Sequence, residues 1–322
     1  MKGAESVAAA LRGAKTVVAT SHVNPDGDGV GSLLAVTILL TRAGKKVYPS
    51  LPEPWKYPPQ YEFLPGRESL IAPESLPGKC DVFIALDCSN LSRLEPLEQA
   101  FERAGLTVNI DHHEDNTRFA DVNYVDPAAS STAELVYRVC EAASWSLDGR
   151  AATCLYAGLV TDTGRFHHRN TTPSAFVLAA KLAEAGVDVH GVAREIYESQ
   201  SLQYVRLLGT ALKRAQRLED LRLVYSYITQ SDLEETGATL AEAEDLIDYL
   251  RRVKGSGVVA LFKELPDGTV RVSLRSGDGV EVASMARGLG GGGHAMAAGY
   301  TSEKDLEGSI GELVKRLRDR HA

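Results

Sequence analysis

The sequence predicts an α/β protein of two domains: a larger N-terminal one built on a mostly parallel sheet flanked by helices, and a smaller C-terminal α/β unit. Three observations lead there. The chain has 322 residues, about twice the roughly 150 that one domain usually takes. In its first half, short apolar runs alternate with helical patterns, as parallel strands joined by crossover helices do. After Ser199 the texture changes: a charged helical stretch leads into a second set of strands and helices. The expected organisation is therefore a domain at 1–198, a connecting helix or linker at 199–218 and a second domain at 219–322.

The elements follow in order. Residues 16–20 (Thr-Val-Val-Ala-Thr) read as a first strand, and 30–42 as the amphipathic helix returning from it. Residues 47–51 suit a further strand. The segment 49–65 carries six of the thirteen prolines with Trp55, Tyr57, Tyr61 and Phe63. It reads as a loop whose aromatics either stack on a base or, more simply, are buried beneath the loop itself. Residues 81–86 and 106–110 are buried-type strands separated by a helical stretch at 94–104. From 131 to 198 the pattern is helical, with breaks at 144–149 and 161–170. In the second domain, 202–217 is the connecting helix, 221–228, 258–264 and 270–274 read as strands, and 240–253 and 306–318 as helices.

Composition narrows the function classes. With 44% hydrophobic and 24% charged residues, the chain is globular rather than disordered. Its 35 basic and 43 acidic residues give a net charge of −8, which argues against tracking of long duplexes, since that needs many cationic contacts to phosphates. Short or small anionic substrates stay open. Basic clusters at Lys213, Arg214 and Arg217, and at Arg251, Arg252 and Lys254, read first as solvated helix faces. No apolar run has the length of a membrane span. Glu5 and Arg12 interrupt the alanine-rich start before a signal-peptide core can form, so a cytoplasmic protein with no membrane partner is expected. Cys80, Cys88, Cys140 and Cys154 lack metal-finger spacing and read as reduced core thiols.

The chemistry lies where strands end. The first strand runs into Ser21-His22-Val23-Asn24-Pro25-Asp26-Gly27-Asp28, the strand ending at Leu86 delivers Asp87, and the strand ending at Ile110 delivers Asp111-His112-His113. Thr161-Asp162-Thr163-Gly164 adds a fourth acid after an apolar helix. In open parallel sheets the ligand crevice lies at the carboxyl ends of the strands. Each piece alone has a bland reading: His22 and Asp26 an ordinary Asx turn, the Asp-His-His triplet a capped helix start, Asp87 a buried hydrogen-bonded acid. Together they crowd carboxylates that would repel one another unless something positive sits among them. Divalent metal ions answer that need. Carboxylates with a few imidazoles favour Mn²⁺, with Mg²⁺ second. Further on, Gly288 to Gly293 either form a linker or, ending in His294, a tight loop whose N–H groups meet an anion. Arg275 and His294 are candidates for gripping a phosphate or terminal nucleotide, with Arg252 a weaker third. His167, His168, His190 and His321 read as surface histidines.

His22-x3-Asp26-x-Asp28, Asp87, Asp111-His112-His113 and Asp162 resemble the motifs of the DHH phosphoesterase superfamily. Gly290 to Gly293 with His294, then Ala297-Ala298-Gly299, resemble the signature of its DHHA1 domain. Asp126-Pro127, the Ser130 to Glu134 run and Tyr61 to Gly66 are similar to the NrnA-type branch. The resemblance spans nearly the whole chain. It implies a hydrolase of short RNA (nanoRNA) and linear dinucleotides that often also dephosphorylates the nucleotide pAp, and it implies a homodimer. It further implies two metal ions: one on His22, Asp26 and Asp87, the other on Asp28, Asp87, His112 and Asp162, with Asp87 bridging. Asp111 would orient His112, and His113 would face the substrate phosphate; beside the resemblance, Gly291, Gly292, Gly293, Arg275 and His294 are candidates, on the residues themselves, for handling substrate. A manganese-dependent inorganic pyrophosphatase and a catalytically silent nucleotide sensor are the competing readings.

Overall fold

The computed structural model describes residues 2–53, 57–277 and 279–321; Trp55 of the aromatic loop lies outside them, and so do the side chains of His294 and His321. The chain divides into two compact units, residues 1–199 and 200–322.

In the first unit the order is α1 (Lys2–Arg12), β1 (Thr16–Thr20), α2 (Gly27–Arg42), β2 (Lys46–Pro49), β3 (Val82–Leu86), α3 (Glu98–Glu102), β4 (Leu106–Asp111), β5 (Val122–Val125), α4 (Thr132–Ala142), α5 (Gly149–Asp162), α6 (Pro173–Glu184) and α7 (Val189–Tyr197). The five strands form one sheet in the order β2-β1-β3-β4-β5, with every pair parallel. β3 is buried along its whole length, which is why it reads as a continuous apolar run rather than an alternation. α2 lies against α5 at glycine positions: a Cβ on Gly31 would stand 2.4 Å from Cys154 O, and one on Gly158 2.8 Å from Asp28 Oδ1. That close crossing sets the start of α2 beside the body of α5.

α1 and β5 are not among the expected elements; β5 is a four-residue edge strand with one buried side chain, Tyr124. The helix expected at 94–104 is replaced by a 3₁₀ turn (Leu91–Leu94) and the short α3; Glu95, the residue before Pro96, is held out of the helical region with ψ 127°, so the helix starts only beyond it. Tyr61 is buried, and Tyr57 and Phe63 pack against the core, so the described aromatics of the 49–65 loop follow the burial reading.

In the second unit α8 (Leu202–Lys213) leads to β6 (Gln216–Leu218), β7 (Leu223–Ile228), α9 (Gln230–Thr236), α10 (Leu246–Leu250), β8 (Val258–Glu264), β9 (Val270–Ser276), α11 (Ala283–Arg287), β10 (Gly292–His294), β11 (Ala297–Ser302) and α12 (Leu306–His321). Its mixed sheet runs β10-β11-β9-β8-β7-β6, with β7 and β8 the parallel pair. The helix expected at 240–253 is shortened to a 3₁₀ turn (Ala241–Ala243) and α10. Side chains there reach other elements: Glu242 accepts from Ser201 and Glu244 from Lys263.

The glycine run is turn at 288–290 and becomes strand at its end, so it is no linker: Gly292 and Gly293 pair with Gly299 and Ala298 across β10 and β11. A Cβ on Gly291 would meet Gly299 O at 2.1 Å, and Gly293 has φ +134° with Ala297 O 2.6 Å from its Cβ position. Close strand approach is what demands glycine here. Among the described residues, no helix is long and apolar enough to cross a membrane.

Candidate metal centre

Because β1, β3 and β4 are parallel neighbours, their carboxyl ends deliver His22, Asp87 and Asp111-His112-His113 to one edge of the sheet. Asp26 caps α2, accepting from Asp28 N–H and Gly29 N–H at 3.0 Å each. This turn carries Asp28 into the first turn of α2. Asp162 arrives as the last residue of α5. Asp87 has φ +57°, a left-handed conformation uncommon outside glycine and a recurrent mark of functional sites.

Three overlapping groups result: His22, Asp26 and Asp87; Asp28, His112 and Asp162; and Asp87, His112 and His113. In each, the candidate ligand atoms lie within 4.8 Å of one another. His22 Nε2 stands 3.5 Å from Asp87 Oδ2. On the other side, His112 Nε2 lies 3.8 Å from Asp87 Oδ1, 3.6 Å from Asp162 Oδ2 and 4.0 Å from Asp28 Oδ2. Asp87 therefore shows one oxygen to each side.

The electrostatics of the bare side chains are those of a site built around cations. Burial, then the charges of Asp87, Asp162 and Asp26, push the Asp28 carboxyl far up. Asp162 is pushed up to about 7, by burial first and by Asp26 and Asp87 against the pull of His112. Asp87 goes the other way: burial would raise it, but the His22 hydrogen bond and the charges of His22, His112 and His113 hold it well below the usual carboxylate range. Burial opposes protonation of His113, yet its Asp111 hydrogen bond and the charges of Asp87, Asp111 and Asp162 carry it up to about 9. Acids that cannot all ionise side by side are what a divalent ion relieves. The donors are carboxylate oxygens and imidazole nitrogens, the chemistry of Mn²⁺ rather than of thiolate-bound zinc. The four cysteines are buried and free; burial pushes Cys88, next to Asp87, up to about 12, so it stays a neutral thiol. The residues thus fit divalent cations.

Asp111 needs a correction. Its Oδ1 accepts from His113 Nδ1 at 2.8 Å and from the backbone N–H of His112 at 2.8 Å; the ring it orients is that of His113, not His112. Asn116 Nδ2 holds the other oxygen at 2.6 Å. His167, His168 and His190 are exposed, and none belongs to the three groups.

The roles of several residues at the centre escaped the sequence reading, which noted the Ser130 to Glu134 run only as part of the resemblance. The N–H groups of Thr132 and Ala133 donate to Asp28 Oδ2 and Oδ1 at 2.6 and 2.8 Å, and Thr132 Oγ1 donates to Asp87 Oδ1 at 3.0 Å. Asn170 Nδ2 donates to Asp162 Oδ2 and Ser130 O, both at 2.8 Å. Arg93 Nη2 stands 2.7 Å from His22 Nδ1. One signal was available: Ser131 with Glu134 three residues on is a helix-start pattern, and Ser131 does cap α4 by accepting from Glu134 N–H.

In the second unit, register sets His294 opposite Ala297 and Ala297 opposite Arg275, so both expected substrate residues occupy one row of the sheet, two strands apart. Arg275 Nε lies 3.7 Å from Asp248 Oδ1. Arg252 is exposed and lies over the Tyr249 ring at 4.7 Å.

Residues 16–159 match the N-terminal domain of the DHH family and residues 220–321 match the DHHA1 domain. The chain is 33% identical over 305 residues to the bifunctional oligoribonuclease and PAP phosphatase NrnA of Thermus thermophilus, covering 93% of this chain and 88% of the relative. It is 30% identical over 290 residues to the Bacillus subtilis protein of the same name, covering 88% of each. An exopolyphosphatase-related protein from Bacteroides fragilis shares the fold, with a TM-score of 0.92 at 22% identity over 99% of this chain and 96% of that one.

Proposed function

From the premise that the chain belongs to the DHH family and carries its DHHA1 domain, we propose a two-metal phosphoesterase. It hydrolyses short oligoribonucleotides and linear dinucleotides to mononucleotides and removes the 3′-phosphate of pAp. The observation that carries this reading is Asp87, buried and left-handed, with one oxygen toward His22 and the other toward His112. Two cations a few ångströms apart need such a shared anion to offset their repulsion.

His22, Asp26 and Asp87 hold one ion; Asp28, Asp87, His112 and Asp162 hold the other, Mn²⁺ in preference to Mg²⁺. Bound in this pair, such ions supply Lewis acidity to phosphoryl oxygens and lower the pKa of water. His113 is oriented by Asp111 at Nδ1, which assigns proton donation to the phosphate or leaving group to Nε2. Asp111, itself fixed by Asn116, holds the ring in that orientation. Arg275 and His294 take a phosphate or the terminal nucleotide, with Gly291, Gly292 and Gly293 letting β10 and β11 approach closely enough to align their row. Arg252 is an auxiliary contact. Buried unpaired thiols support a reducing, cytoplasmic setting, and sedimentation checks the homodimer that belongs with this reading.

The test is product analysis with purified protein and Mn²⁺ on pAp, a linear dinucleotide, RNA of two to 24 nucleotides and pyrophosphate. Dinucleotide and pAp should be turned over, and pyrophosphate alone as substrate would replace the reading with a pyrophosphatase. Length is diagnostic as well. With net charge −8 and about two phosphates engaged beyond the scissile one, a slope of about −0.7 per phosphate gives roughly a sevenfold affinity loss from 50 to 200 mM salt. RNA of two to five nucleotides should outpace a 24-mer. Equal rates, or a loss of several hundredfold over that salt range, would indicate a long-strand nuclease.

A further inference from the structure

Three carboxylates of the centre come from three separate elements, yet one turn, residues 130–133, reaches all of them. Two backbone N–H groups at the start of α4 clasp both oxygens of Asp28, and the Thr132 hydroxyl reaches Asp87. Asn170 links the carbonyl of Ser130 to Asp162. Its amide nitrogen has three oxygen neighbours, Ser130 O, Asp162 O and Asp162 Oδ2, so the nitrogen and not the oxygen must face them. The turn is braced in its own right. Glu134 Oε2 accepts from Ser130 N–H and Ser130 Oγ at 2.9 and 2.6 Å, while Arg138 bonds Glu134 Oε1 at 2.6 Å and Asp126 Oδ2 at 2.8 Å. Ser130, Ser131 and Thr132 are buried.

We propose that Thr132 and Asn170 are positioning residues of the metal centre, Thr132 acting through Asp87 and Asn170 through Asp162. The inference rests on the two-metal reading above. The terminal torsion of an aspartate is soft and roughly two-fold, and a carboxylate that serves two groups works only if each oxygen stays on its own side. The Thr132 hydroxyl takes one lone pair of Asp87 Oδ1 and leaves another for a cation, which sets the rotation without blocking ligation. Asp162 has a different difficulty. As the final residue of α5 it lies at the negative end of the helix, where an anion is disfavoured, and the Asn170 amide offsets this while pinning Oδ2 toward His112. Partners of this kind typically govern 10- to 100-fold in metal affinity.

The experiment titrates Mn²⁺ into metal-free protein by calorimetry, and by the electron paramagnetic resonance signal of free Mn²⁺. Thr132→Val keeps the size of the side chain and both backbone bonds to Asp28 but removes the hydroxyl. It should lower Mn²⁺ affinity about 10- to 100-fold, with two ions still bound at saturation. Thr132→Ser should restore wild-type affinity. Asn170→Ala should weaken one of the two sites, and it carries the test if Thr132→Val does not fold. In either variant, dinucleotide turnover should recover at saturating Mn²⁺ with KM unchanged. Mn²⁺ affinity equal to wild type, with only the metal-free unfolding temperature lowered, would make these residues structural and overturn the proposal. A wild-type chain that fails to bind two ions would instead overturn the two-metal reading beneath it.

Discussion

In the first unit the buried carboxylates of Asp28 and Asp87 face other acids and imidazoles, whereas in the second the buried ammonium of Lys263 meets Glu244 at 2.5 Å. The same contrast runs through their neighbours. Arg271 pairs with Glu244 and Arg214 with Asp232, while Asp28 is held by backbone N–H groups beside Asp87 and Asp162. Burying a charge is costly unless it is paired. Where the chain supplies the partner, the charge belongs to the architecture. Where it brings acids together and withholds the cation, the deficit marks a place for one.

The sharpest way to break this comparison is Asp87→Asn. If Asp87 is shared between two cations, its charge cannot be replaced by any single neighbour, and turnover should fall more completely than on loss of any other ligand. Mn²⁺ stoichiometry and dinucleotide hydrolysis, measured on the same preparation, check this. Near-normal activity with two ions per chain would remove the shared-ligand assignment.

A smaller effect is expected in the second unit. Arg275→Ala and His294→Ala should each cost about 1.5 to 3 kcal/mol of substrate stabilisation, the range for one charge-assisted phosphate contact, and leave metal content intact. Steady-state kinetics alongside metal analysis reads both quantities. Loss of metal in either variant would contradict the division of labour between the units, and unchanged kinetics would leave the glycine-rich strand with packing alone.

The candidate ligand residues stand out in the sequence for a reason that does not apply to their supports. His22, Asp87 and His112 each come within two residues of the end of a short apolar run, and parallel strands share an edge at their carboxyl ends, so a one-dimensional pattern already implies a convergence in space. Thr132 and Asn170 carry no such mark. A threonine at a helix start reads as a cap and an asparagine in a loop as a turn former, and only the fold brings them to Asp87 and Asp162. The orientation of Asp111 failed for a related reason: from the triplet alone either histidine suits, and the choice of His113 is made by Asn116 holding the carboxylate from the far side. The glycine run was read as a loop because its demand is tertiary, the approach of Gly299 and Tyr300 to within 2.1 and 2.5 Å of a Cβ on Gly291. Pro96 was the one interruption written locally, and by keeping Glu95 out of the helical region it delayed the helix expected at 94–104.

The smallest expected effect tests the paired side of the comparison. Burial, with the charges of Arg271 and Arg275, lowers the Lys263 pKa, and Glu244 only partly restores it. A lysine whose folded pKa is depressed binds fewer protons folded than unfolded, so stability rises as pH climbs from the lowered value to the ordinary one near 10.4. Lys263→Met removes that rise. The variant should therefore gain less stability than wild type between neutral and alkaline pH, read as the difference between two urea-unfolding series. At neutral pH its cost should stay below the roughly 3–5 kcal/mol of breaking a fully buried pair, because Glu244 is 45% exposed and water can take over its solvation. Mn²⁺ binding should not change. A variant that lost metal would show that Lys263 is no mere counter-charge, and an unaltered pH profile would show that its ammonium is as well solvated in the fold as in the open chain.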